Sequence, residues 1–173
     1  MFTMLREQPI RMDDEGLSTL CCEIENILNN RPLTQISDQP NDLEYLTPNH
    51  LLLLGSSAKC APGVFTNDSI YLRKKWKQLQ YFANLFWSRW SKQYLAMLQE
   101  RQKWQQPQHN LKENDIVLLV ENTPRNAWSL GRVVNAIQDT NGLVRIVRVK
   151  TKNKILERPV HKLCLFLEAN EEK

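Results

Sequence analysis

From Leu111 to Leu167 the chain is built of short apolar, β-branched runs parted by turn residues, a pattern that suits a β-sheet and is too broken for helices. The runs are Leu111-Lys-Glu-Asn-Asp-Ile-Val-Leu-Leu-Val120, Trp128-Ser-Leu-Gly-Arg-Val-Val134 and Leu143-Val-Arg-Ile-Val-Arg-Val-Lys-Thr151. Within them the first strand is expected over Asp115 to Val120 and the second over Leu130 to Ile137, with Gly131 permitting a bend. Asp139-Thr-Asn-Gly142 then turns the chain as a hairpin into the third strand. A turn at Asn153 leads to a fourth strand, Ile155 to Arg158, which Pro159 closes, and Leu163 to Leu167 makes the last. In the third strand Val147 and Val149 share a face, yet Arg145 falls in phase with them, so strong twist or a bulge is expected there. Five short, bent strands point to a small barrel, not a sandwich.

Upstream the periodicity is helical. Asp13-Asp14-Glu15 supply cap chemistry and negative charge for a helix whose apolar face is Leu17, Leu20, Cys21, Ile24, Ile27 and Leu28. Asn29-Asn30-Arg31-Pro32 ends it, because proline drives the preceding residue out of the helical region. Glu23 and Glu25 point to different sides of that helix and belong to its solvated face. Leu33 to Tyr45 is expected as an ordered, turn-rich loop. Thr47-Pro48 opens a short helix through Leu54, with Gly55 as its terminator and His50 as a packing residue. Ser56 to Thr66 is expected as a linker. From Asn67 the apolar series Leu72, Trp76, Leu79, Ala83, Phe86, Trp90 and Met97 runs unbroken to Pro107, which predicts a helix of over thirty residues, about 50 Å long. Trp76, Trp87, Trp90 and Trp104 are expected against partner helices, and the stripe offers a surface for self-association.

The fold class so defined is α+β: N-terminal helices and one long helix, then a small five-stranded β-barrel. The expected segments are 1–55 helical, 56–109 linker and long helix, 110–167 barrel and 168–173 polar tail.

Charge is unevenly spread. The chain carries a net +4, but up to His50 its acids outnumber its bases, so the cations crowd the later segments. Arg132, Arg145, Arg148, Lys150, Lys152, Lys154, Arg158 and Lys162 sit on a few strands, with Glu157 the only close acid, and Lys74, Lys75 and Lys77 open the long helix. Such a density suits phosphates, and Arg148 and Lys150, on alternate positions, face outward together. No run is long enough to span a bilayer, and no apolar leader marks a secreted chain. Cys21, Cys22, Cys60 and Cys164 lack Cys-x-x-Cys spacing, so no metal ligand set or disulfide framework is read, and nucleus or cytoplasm is the expected compartment.

Several multi-residue motifs in order carry a resemblance. Asn30-Arg-Pro-Leu-Thr34, Asn41-Asp-Leu-Glu44, Leu46-Thr-Pro-Asn-His-Leu-Leu52, Gln99-Glu-Arg-Gln-Lys-Trp104, Asp115-Ile-Val-Leu118, Leu130-Gly-Arg-Val-Val134, Val147-Arg-Val-Lys-Thr151 and Arg158-Pro-Val160 resemble the C-terminal part of integrases from BEL/Pao-type LTR retrotransposon polyproteins. The resemblance implies the end of a ribonuclease-H-like catalytic core over Asp13 to Gly55, a linker helix, and a Src-homology-3-like C-terminal domain. It implies too that the family's Asp, Asp, Glu carboxylates, and the Mg or Mn ions they hold, lie upstream of Met1. No catalytic or metal residue is mapped onto this chain, and no cofactor is expected. The function expected is therefore non-enzymatic, sequence-tolerant DNA binding that positions DNA for integration. The rivals are a chromodomain- or Tudor-like reader, for which only Trp128 and Phe166 offer cage aromatics, and a non-functional transposon remnant.

Overall fold

The computed structural model describes residues 12–35, 43–54, 65, 75–99, 110–140 and 142–169. In chain order these form α1 (Asp14–Asn29), β1 (Thr34–Gln35), β2 (Tyr45–Leu46), α2 (Pro48–Leu52), α3 (Lys75–Leu98), β3 (Ile116–Leu119), β4 (Leu130–Gln138), β5 (Val144–Lys150), β6 (Ile155–Pro159), a 3-10 turn (Val160–Lys162) and β7 (Leu163–Leu167). They fall into two compact units.

The first unit holds α1, α2, α3 through Ser91, and the loop tip Pro124–Asn126. Asp13 caps α1 by accepting the Gly16 N–H at 3.1 Å, and Lys75 Nζ lies 2.6 Å from the same carboxylate. The Lys75 ammonium, with the Gly16 N–H second, holds the Asp13 carboxyl below its ordinary range, and Asp13 raises Lys75 in return. Leu20, Ile24 and Ile27 of α1 are buried, as are Leu79, Phe82, Ala83 and Trp87 of α3. Full burial of such a side chain contributes about 1.5–3 kcal/mol. At the end of α1, Asn26 Oδ1 accepts from Asn30 Nδ2 at 2.8 Å and from Asn49 Nδ2 of α2 at 3.0 Å. One amide thus ties together two of the motifs quoted above. His50 is more than packing: its Nδ1 accepts the Thr47 N–H at 3.1 Å while the Thr47 hydroxyl accepts the His50 N–H, a reciprocal cap on α2. Glu23 also departs from the expected solvated face. Gln80 Nε2 donates to it at 2.9 Å, and the buried Arg125 donates to Gln80 Oε1 at 2.6 Å.

α3 is described over 24 residues, about 36 Å; the rest of the longer helix expected, with Lys74 and Trp104, lies outside the described residues. Its apolar face is rotated from the predicted stripe: Phe82, Trp87 and Leu95 are buried, whereas Trp76 and Met97 are exposed. Of the stripe expected to serve self-association, Leu79 and Ala83 are buried while Phe86 and Trp90 are half-buried.

The second unit comprises Pro32–Leu46, Lys92–Thr123 and Ala127–Lys173. The segment expected as a loop supplies an antiparallel ribbon, with Thr34 opposite Leu46 and Gln35 opposite Tyr45. This ribbon groups with the C-terminal strands because Leu43 and Tyr45 pack into their apolar cluster. The five strands predicted downstream are all present, in the antiparallel order β6-β5-β4-β3-β7. Among the described residues no ladder joins β6 to β7, so the sheet is open where a closed barrel was expected. The 3-10 turn between them passes the chain from one edge to the other without making a hairpin.

β3 is buried at every position, which explains its unalternating Ile-Val-Leu-Leu. Val117 and Leu119 face the inner cluster with Leu111, Val133, Val147, Val149 and Leu163. Ile116 and Leu118 face the second cluster with Leu95 of α3, Leu130 and Cys164. Trp128 sits half-buried in that second cluster, edge-on to Tyr94 at 5.5 Å. There is no room on the inner side at Gly131, where a Cβ would lie 2.1 Å from Val149 Cγ1. Close approach of β5 thus requires glycine at position 131.

Candidate nucleic-acid interface

The side of the sheet that α3 and the β1–β2 ribbon cover over β3 and the start of β4 is left open over the rest of β4, β5 and β6. Val147 and Val149 are fully buried on the inner side of β5, so Ile146, Arg148 and Lys150 stand exposed on the other. Register then fixes what lies beside them. Lys150 pairs with Arg132 of β4 and Ile155 of β6, Arg148 with Asn135 and Glu157, and Ile146 with Ile137 and Pro159. The open half-face therefore has a cationic row, a mixed row and an aliphatic row, in which Ile137 is 42 % and Ile146 45 % exposed.

The phase conflict at Arg145 is resolved by the bulge expected there. Ile137 pairs with Ile146 but Gln138 with Val144, so Arg145 is an extra residue that loops outward while Val144 packs against the inner cluster. A second irregularity, in β4, makes Val134 the extra residue between Val133 and Asn135. It leaves Val134 exposed.

The structure separates the predicted cations into groups. Arg145 Nε lies 3.1 Å from Asp139, Arg148 Nε 2.7 Å from Glu157, and Arg158 Nη2 2.9 Å from Glu121. Glu157 is therefore not the only close acid. Glu121 follows β3 and lies far in sequence from Arg158, whereas Asp139 follows β4 and meets Arg145 across the hairpin, and adjacency along the strand missed both. These pairs are solvent-exposed, and each contributes about 0.2–1 kcal/mol. Lys152 and Lys154 are exposed at the β5–β6 turn and make no ion pair with a described acid. The Thr151 N–H donates to Lys154 O at 2.8 Å and the Thr151 hydroxyl donates to the same oxygen at 2.8 Å, which fixes the turn between them. Lys162 is exposed on the 3-10 turn, and Arg132 is half-buried with its Nε enclosed and unbonded. Lys75 and Lys77 belong to the helical unit, where Lys75 is held by Asp13; Lys74 lies outside the described residues.

Among the described residues no group of three or more His, Cys, Asp or Glu side chains is placed to hold a metal ion. No described helix is long and apolar enough to cross a membrane. Cys164 is buried under α3, with its thiol donating to Leu95 O at 3.4 Å, and burial pushes its pKa up to about 11. It is not a nucleophile at neutral pH.

Fold and surface define a class first: an α+β chain whose open, antiparallel five-stranded sheet bears cations on its uncovered half-face. The chain belongs to DUF5641, a family of unknown function, whose model matches residues 74–166, more than half its length and all of the sheet except the end of β7. No curated protein and no solved structure matches it.

Proposed function

We propose that this chain is the sequence-tolerant DNA-binding part of a retroelement integrase of BEL/Pao type, positioning DNA for a catalytic carboxylate set that the chain does not itself supply. The observation that carries the reading is the uncovered half-face, where Arg132, Arg148 and Lys150 stand on adjoining strands and the Lys152–Lys154 turn extends the cationic row. Cations so arranged neutralise phosphates and release counterions without reading bases. The strand order supports a Src-homology-3-like domain. Five strands at about 4.8 Å spacing make a flat sheet about 19 Å wide, yet a three-residue turn joins its outermost strands, so the sheet is strongly curled. In this reading Mg or Mn belongs to the catalytic core and the chain is not itself an enzyme.

The methyl-lysine reader gains little support, because Trp128 and Phe166 both pack into the cluster under α3 instead of lining an open cage. The test is duplex binding by the whole chain across a salt series. The logarithm of affinity is expected to fall linearly with the logarithm of salt, by about 0.9 for each phosphate contacted. A flat dependence, or tighter binding to histone-tail peptides than to DNA, removes the reading.

A further inference from the structure

The strand arginines and the turn lysines were one basic patch in the sequence, and the structure divides them. Arg145, Arg148 and Arg158 each lie within 3.1 Å of a carboxylate contributed by a different segment of the sheet unit. A phosphate that takes one of these guanidiniums must displace that carboxylate or accept its repulsion. Lys152 and Lys154 face no such competition from a described acid, and from Arg145 through Lys154 the chain contains no Asp or Glu. Their setting is also regular. β5 and β6 pair in unbroken register from Ile146–Pro159 to Lys150–Ile155, while the β4–β5 pairing is interrupted twice. The turn closing that ribbon is held by the Thr151 N–H and hydroxyl, both donating to Lys154 O. A ribbon of two strands about 4.8 Å apart enters a major groove about 12 Å wide.

We propose that the closed end of the β5–β6 ribbon is the element that grips DNA, with Lys152 and Lys154 contacting phosphates and Arg145 and Arg158 serving as braces of the sheet. This rests on the DNA-binding reading above and narrows it to one element. Lysine, a mobile point charge without the arginine fork, suits a contact that must accept any sequence.

The experiment compares the parent chain with Lys152→Gln/Lys154→Gln, with the charge-keeping Lys152→Arg/Lys154→Arg, and with Arg145→Gln/Arg158→Gln. Fluorescence anisotropy on a short duplex of arbitrary sequence follows each across a salt series, with circular dichroism confirming the fold. The glutamine pair at the turn is expected to lower the salt slope by about 1.8 and to weaken binding tens-fold at about 0.1 M salt. The arginine replacements are expected to restore both, and Arg145→Gln/Arg158→Gln to change the slope by less than about 0.5. A steep parent slope that the turn glutamines leave unchanged, or that the strand arginines lower as much, overturns the proposal while leaving DNA binding standing. A flat parent slope removes DNA binding itself, and the proposal with it.

Discussion

Replacing Gly131 by alanine tests how the sheet is packed. The added Cβ would lie 2.1 Å from Val149 Cγ1 and 3.3 Å from both Leu119 Cδ1 and the Lys150 carbonyl oxygen. Val149 is fully buried among Val117, Val133 and Val147, so its methyl has nowhere to swing without leaving its preferred rotamer. Overpacking of this kind costs about 1–3 kcal/mol and a forced rotamer about 0.5–1.5 kcal/mol more. The lower backbone entropy of alanine in the unfolded chain offsets about 0.5–1 kcal/mol. A net loss of about 1.5–3 kcal/mol is expected, read as a lower urea midpoint by circular dichroism. Val149→Ala removes both of that side chain's γ-methyl groups and is itself destabilising, by about 2–3 kcal/mol from transfer and cavity together. It also vacates the space that the new Cβ needs. Gly131→Ala/Val149→Ala should therefore be less destabilised than the sum of the single variants by more than about 1 kcal/mol. Stability of Gly131→Ala within about 0.5 kcal/mol of the parent, or strict additivity in the cycle, would refute close approach as the reason for this glycine.

Asp115 is 1 % exposed and accepts the Lys112 N–H at 2.8 Å and the Ala169 N–H at 2.9 Å, joining the entry to β3 with the exit from β7. Asp115→Ala strands both donors and is expected to cost about 2–4 kcal/mol in urea unfolding, with a loss below about 1 kcal/mol counting against that role. Cys164, with its pKa raised to about 11 by burial, should resist iodoacetamide at pH 8 while the exposed Cys21 and Cys22 react; equal labelling by mass spectrometry would show that the thiol is not shielded. The sign for stability follows from the same shift. The unfolded thiol ionises near its ordinary 9.0 and the folded one near 11, so this contribution is intact below pH 9 and fades between pH 9 and 11. Glu157→Gln frees Arg148 from its 2.7 Å partner, and is expected to steepen the DNA salt slope by up to about 0.9 and tighten binding severalfold; unchanged binding would show that Arg148 stays out of reach of phosphate.

The sequence by itself determined the α+β class, the five strands, both ends of α1 and the start of α2, because these depend on neighbours along the chain. Asp13 caps α1 and Thr47 caps α2 as their residue types dictate, and Gly142 adopts the positive φ of 73° that its turn requires. Even the bulge at Arg145 was legible, as a phase error between one cation and two valines. What depends on residues far apart in the chain was not. The β1–β2 ribbon lacks any strong strand pattern and forms where Leu43 and Tyr45 find the sheet's apolar cluster. The buried face of α3 is chosen by what packs against it, so Trp76 is exposed and Trp87 is not, though both stand on one helix. The same holds for charge. Composition set the number of cations, but register and loop paths placed Asp139, Glu157 and Glu121 against three of the arginines and left the lysines of the β5–β6 turn without such a partner among the described acids. Whether a cation is available to a phosphate is a property of its neighbours in space, and only the tertiary structure decided it.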